Sequence, residues 1–146
     1  MQGVSDMIKR HEGFKNKIYK DTEGVLTVGW GHALQAGTEI PGPALELIFN
    51  ADMDRVQMQY ADLAEEYGLH LDPVRCAVLQ DMLFNLGPSG VRKFKEMLKY
   101  LKADMFHPAA DEMLKSAWAQ QVGKRSIELA WMMRNGKWPE DWQKAW

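Results

Sequence analysis

His11-Glu12-Gly13-Phe14-Lys15-Asn16-Lys17-Ile18-Tyr19-Lys20-Asp21-Thr22-Glu23-Gly24-Val25-Leu26-Thr27-Val28-Gly29-Trp30-Gly31-His32 is the stretch that decides the reading of this chain. Glu12 closes a helical pattern, Asp21 opens a polar turn and Thr27 follows on a strand. Ile18-Tyr19, then Asp21-Thr22-Glu23-Gly24, then Val25-Leu26-Thr27-Val28 read as a β-hairpin. Gly29 and Gly31 flank Trp30, which implies sharp bends or a close backbone approach. Two carboxylates and a hydroxyl thus arrive from three consecutive elements. Hydrolysis of a glycosidic bond needs such a set: one acid for the leaving oxygen, and one carboxylate to manage water or the sugar cation.

Upstream, Val4, Met7, Ile8 and His11 repeat with helical spacing, with Ser5 or Asp6 near the start and Gly13 as terminator. Downstream, residues 35–43 are rich in Gly and Pro and read as a loop. A long helix begins at Pro43 or Ala44 and carries Leu45, Ile48, Phe49, Met53 and Val56 towards Leu63. Asp72-Pro73 is the strongest helix start: an N-cap followed by a proline at the first helical position. The helix it opens is apolar nearly all round, through Cys76, Val78, Leu79, Met82, Leu83 and Leu86, and is expected to end at Gly87-Pro88. Shorter helices are expected over about 91–101, 107–114, 117–121 and 124–134, and an aromatic tail from Trp138 to Trp146 that packs back. The fold class is therefore α+β and mostly helical. A small lobe of about 12–50 is joined by a long helix to a helical lobe of about 62–146, with the helix of residues 1–11 packed on the latter. A groove between such lobes is the default place for a ligand.

Composition narrows the function classes. With 46% hydrophobic and 26% charged residues, 146 residues suffice for an ordinary globular core. The net charge of −2, with scattered lysines and arginines, gives no basic patch for nucleic acid. Cys76 is the single cysteine and sits beside Ala77, Val78 and Leu79, so it reads as a small buried hydrophobe in a chain without an internal disulfide. His32 has no second His or Cys at ligand spacing, and neither a metal nor a cofactor is expected. No apolar run reaches membrane-spanning length and residues 1–9 lack a signal-peptide core, so synthesis in the cytoplasm without stable membrane insertion is expected. Without a heptad seam, a monomer is expected.

In this order and spacing the chain resembles the lysozymes of T-even phages and their endolysin relatives, which are inverting muramidases. The family pattern is a Glu, eight residues, an Asp or Cys, five residues and a Thr, met here by Glu12, Asp21 and Thr27. His11-Glu12-Gly13, Ile18 to Gly24 and Gly29-Trp30-Gly31-His32 match as well. So do Asn50-Ala51-Asp52-Met53-Asp54, Met82-Leu83-Phe84-Asn85-Leu86-Gly87, Lys115-Ser116-Ala117-Trp118 and Arg134-Asn135-Gly136-Lys137-Trp138. The resemblance spans essentially the whole chain and implies a two-lobed lysozyme-like fold. It implies cleavage of the β-1,4 bond between N-acetylmuramic acid and N-acetylglucosamine in bacterial peptidoglycan, with lysis of the cell wall as the outcome. Glu12 would be the general acid, and Asp21 and Thr27 would position water. Phe84, Asn85, Trp118, Gln121 and Arg125 would meet the substrate or border the acid, and His32 with Asp52 would form a structural ion pair. A cytoplasmic endolysin would reach the periplasm through a separate, holin-type membrane-permeabilising partner. The loop after His32 is shorter than is usual in the family, and Asn85 stands where the relative has Gln. The mild negative charge should weaken recruitment to an anionic wall.

Each residue also has a plain reading: Glu12 as a solvated helix end, Asp21 as a turn former, Thr27 as a strand residue, Trp138, Trp142 and Trp146 as core or tail anchors. The combination argues against these. A non-catalytic glycan-binding or virion-structural module on the same fold is the alternative, although such a module has no need of all three groups. Another glycan such as chitin, or a transglycosylase using the Glu alone, is a third reading; retention of Asp21 and Thr27 favours water as the acceptor.

Overall fold

The computed structural model describes residues 3–141, and among these the chain forms seven helices and three strands. It divides into two compact units, residues 1–45 and 46–146. The expected packing of Trp142 and Trp146 lies outside the described residues.

The first unit holds α1 (Val4–Glu12), β1 (Lys15–Lys20), β2 (Leu26–Gly29) and β3 (His32–Ala33). Gly3 is the N-cap of α1, and its N–H donates to the Asp6 carboxylate at 3.2 Å. Gly13 ends the helix at φ 69°, which a side chain would resist, and its N–H donates to Lys9 O at 2.9 Å. The sheet is antiparallel in the order β1-β2-β3, pairing Tyr19 with Thr27 and Thr27 with Ala33. β3 was not evident from the sequence, because two residues carry no alternation to read. Between the pairs Lys15–Gly29 and Tyr19–Thr27, β1 carries extra residues, so the ladder bulges there.

The second unit contains almost all of α2 (Gly42–Tyr67), which carries the chain over from the first. It also holds α3 (Pro73–Arg92), α4 (Lys95–Lys102), α5 (Phe106–Lys115), α6 (Ala117–Val122) and α7 (Lys124–Asn135). Among the described residues every buried apolar side chain lies here, with Leu63, Leu79, Met82, Leu98, Leu101, Met113 and Met133 at the centre. α3 starts as expected, with the Asp72 carboxylate accepting from Arg75 N–H. It does not stop at Gly87. The backbone breaks there (φ 73°, ψ 172°), and Pro88 reopens the helix, because a first-turn proline has no N–H that the helix needs. That restart carries α3 to Arg92, so the next helix begins at Lys95 and not at Val91.

Two polar clusters tie this unit together. Arg75 donates to Asp72 Oδ1 at 2.9 Å, to Met133 O at 2.6 Å and to Arg134 O at 3.1 Å, and lies over the Phe106 ring. One guanidinium therefore joins the start of α3 to the end of α7, satisfying carbonyls the helix leaves open. Burial works to raise the Asp72 carboxyl, but hydrogen bonds and charge from Arg75 outweigh it and hold Asp72 below its usual range. Cys76 Sγ lies 2.8 Å from the Tyr60 hydroxyl and 3.3 Å from Leu71 O. Burial, reinforced by that bond to the thiol, pushes the Tyr60 phenol upward.

Candidate active site

The three residues singled out in the sequence all lie in the first unit, each on a different element. Glu12 is the last residue of α1, and its carboxyl faces Gly31, in the turn between β2 and β3. A Cβ built on Gly31 would meet Oε2, Cδ and Cγ of Glu12 at 2.5, 2.8 and 3.3 Å. Glycine is required there twice over, since φ at Gly31 is 71°.

Asp21 shapes the turn that carries it. Its Oδ1 accepts from the N–H groups of Glu23 and Val25, both at 2.8 Å, while its own N–H and C=O pair with Val25 O and Gly24 N. This is an Asx-type arrangement in which one carboxylate oxygen is fixed by the backbone. Among the described residues nothing hydrogen-bonds to Oδ2, and Asp21 is exposed, so this second oxygen is an oriented acceptor. Thr27, in the central strand, is only 4% exposed. Its hydroxyl donates to Val25 O at 2.8 Å, so its proton is committed and only lone pairs remain for a further partner. Asp21 and Thr27 therefore share Val25 as a backbone anchor, one through its N–H and the other through its C=O.

Aromatic side chains that the sequence does not assign to the site lie close to Glu12 and Gly31 in the chain. Phe14 and Trp30 lie 4.7 Å apart between ring centroids, and Lys9 Nζ stands 4.6 Å from the Trp30 centroid. The glycines around Trp30 were the one available signal.

The second unit holds the other expected contact residues. Trp118 is 4% exposed, and its indole N–H donates to Asn85 Oδ1 at 2.8 Å; its ring meets Phe94 edge-on. The structure thus brings Asn85 and Trp118 together, with Trp118 in the core and Asn85 at the surface. Phe84 is 46% exposed and pairs with Phe49 on α2, and Gln121 is exposed on α6. Arg125 is engaged by Asp81 at 2.8 Å, a partner 44 residues away that no local pattern announces. Asp52 forms an ion pair with Arg55 one helical turn on, and His32 is exposed on β3. Among the described residues no group of three or more His, Cys, Asp or Glu is placed to hold a metal ion.

Compared with known proteins, residues 9–133 match the profile of the phage lysozymes. The chain belongs to the phage lysozyme family. Its lysozyme-like α+β fold accords with that membership. Among the relatives of this lysozyme-family chain is Probable T4-type lysozyme 2 of Dictyostelium discoideum. It is 28% identical over 163 residues, covering 93% of this chain and 96% of that protein. Probable T4-type lysozyme 1 of the same organism is 27% identical over 164 residues, with the same coverage. An alignment longer than the chain's 146 residues requires gaps on this side. The Pre-baseplate central spike protein Gp5 of Enterobacteria phage T4 is 28% identical over 159 residues, covering 91% of this chain but 28% of that protein.

Proposed function

We propose that this member of the family is a peptidoglycan hydrolase of the endolysin type. It cleaves the β-1,4 bond between N-acetylmuramic acid and N-acetylglucosamine with inversion, and so lyses the bacterial wall. The observation that carries this reading is the fixed state of the water-side pair. Asp21 Oδ1 and the Thr27 proton are both taken up by the backbone around Val25. What remains is a carboxylate oxygen and a hydroxyl lone pair, two acceptors and no donor. A water between them gives one proton to each, and its own lone pair then points away, towards an anomeric carbon. As the carbon–oxygen bond forms, Asp21 Oδ2 takes the water proton as general base. On the opposite face Glu12 gives its proton to the departing glycosidic oxygen. Proton transfer of this kind accounts for about 10²–10⁴-fold in rate. The two carboxyl groups supply the chemistry, so the reading needs no cofactor.

Phe84, Asn85, Gln121 and Arg125 are the side chains proposed to meet the glycan or its stem peptide, with Trp118 holding Asn85 in place. His32–Asp52 remains a proposed structural pair. No helix among the described residues is long and apolar enough to cross a membrane. As for the endolysins it resembles, we propose that delivery depends on a separate holin-type partner that releases a monomeric enzyme from the host cytoplasm into the periplasm.

The spike-protein match favours a second reading, in which the domain serves as a virion-structural or glycan-binding module. Purified Gram-negative peptidoglycan separates the two. The hydrolase reading expects turbidity loss and new reducing ends with wild type, and neither with folded Glu12→Gln. Binding to the wall without new reducing ends would establish the module instead.

A further inference from the structure

Nothing in α1 is buried, yet its last residue is the proposed acid, which has to hold its place to within a fraction of an ångström. Beside the contact of Glu12 with Gly31, two further contacts around the end of α1 converge on one side chain. Trp30, at the tip between β2 and β3, has the Lys9 ammonium 4.6 Å from its ring centroid and the Phe14 ring 4.7 Å away, tilted by 46°. Lys9 precedes Glu12 by three residues and so is its neighbour on the helix surface, while Phe14 follows Glu12 by two. Glu12 therefore sits in the chain between the two residues that grip the ring. The residue after Trp30 is Gly31, whose bare Cα is the surface the Glu12 carboxyl lies against.

We propose that Lys9, Phe14 and Trp30 form a clamp that positions Glu12 on Gly31, with Trp30 as the positioning residue. The inference rests on the proposed function and deepens it, because it assigns residues that set the acid's geometry without touching the reacting atoms. The ammonium is attracted by the negative face of the indole and the two rings pack by tilted contact, so the helix end and the turn move as one body. Removing the ring frees Glu12 from Gly31 while leaving the hairpin hydrogen bonds and the Asp21–Val25–Thr27 anchor intact. A sugar platform is the competing role for a tryptophan that is 47% exposed, and it makes the opposite kinetic prediction.

The test compares wild type with Trp30→Ala, Trp30→Phe, Lys9→Met and Lys9→Arg on soluble peptidoglycan fragments, with kcat and KM measured separately. Misplacing a catalytic group by about 1 Å costs on the order of 10²-fold. Trp30→Ala should approach that loss in kcat with KM within about threefold of wild type, the pattern of a lost transition-state interaction. Lys9→Met should fall between, and Trp30→Phe and Lys9→Arg should restore most of the rate. Lys9 is exposed on α1, so its variants report on the clamp even if Trp30→Ala misfolds. A rise in KM with kcat unchanged would make Trp30 a sugar platform and overturn the clamp, as would rates indifferent to all four changes. The carboxyl carbon resonance of Glu12, assigned by its loss in Glu12→Gln, gives a readout independent of turnover. If wild type releases no reducing ends while Trp30→Ala shifts that resonance, the hydrolase reading fails and the clamp stands. An unmoved resonance overturns the clamp on its own.

Discussion

The carboxyl of Glu12 lies where the side chain of any residue larger than glycine at position 31 would go: a Cβ there would stand 2.5 Å from Oε2. The acid and the turn that backs it are thus fitted to each other at a backbone surface, the type of contact that only glycine allows. Gly31 also holds φ 71°, so the position is constrained by conformation as well as by space.

Gly31→Ala should consequently lose activity far more than stability. The left-handed backbone with a Cβ costs about 1–2 kcal/mol. Displacing the acid by the width of a methyl group should lower kcat by on the order of 10²-fold. Reducing-end release set beside a thermal unfolding curve checks both, and a variant with near wild-type kcat would remove Gly31 from the account.

Thr27 offers a sharper chemical test, since its hydroxyl proton is held by Val25 O and only its lone pairs remain for another partner. Thr27→Ser preserves the acceptor and should retain most activity. Thr27→Val keeps the shape but deletes the acceptor, and it leaves Val25 O without its donor. A fall in kcat of about 10²-fold or more is expected, within the range of general acid–base contributions. Equal rates for the Ser and Val variants would deny Thr27 a place in holding water.

Asp72 and Arg75 set an acid limit on the helical unit. The Asp72 carboxyl is held below its usual range in the fold, with burial opposing and Arg75 prevailing. Its contribution is therefore present above the unfolded value of about 3.9 and is lost as pH falls through the lower folded value. Denaturant midpoints should drop across that window in wild type. Arg75→Met should flatten the drop and cost about 1–3 kcal/mol at neutral pH, because the carbonyls of Met133 and Arg134 lose their donor. An unchanged acid dependence in Arg75→Met would show that the pair is not its source.

Local elements were more legible in the sequence than packing. The helix end, turn and strand that carry Glu12, Asp21 and Thr27 could be read because each is fixed by local rules within a few residues: a helix ended by Gly13, a turn nucleated by Asp21 and a strand after Gly24. Asp72-Pro73 was legible for the same reason. The restart of α3 at Pro88 was not, since Gly-Pro marks both the end of one helix and a permissible start for the next. Neither was the bond between Trp118 and Asn85, 33 residues apart, nor the reach of Arg75 to Met133 across 58. Those contacts depend on how helices come together, on which periodicity is silent. Trp30 stood between: its flanking glycines announced a close approach, but its partners Lys9 and Phe14 become visible only once α1 and the hairpin are folded.

The stereochemistry of the first product tests the central claim most directly. Proton NMR during hydrolysis of β-linked peptidoglycan fragments, read before mutarotation, distinguishes the anomers of the new reducing end. A water held by Asp21 and Thr27 opposite Glu12 predicts the α-anomer first, with no product from Glu12→Gln. A β-anomer formed first would contradict that role for Asp21 and Thr27, and a wild-type chain that forms no reducing end would contradict the hydrolase altogether.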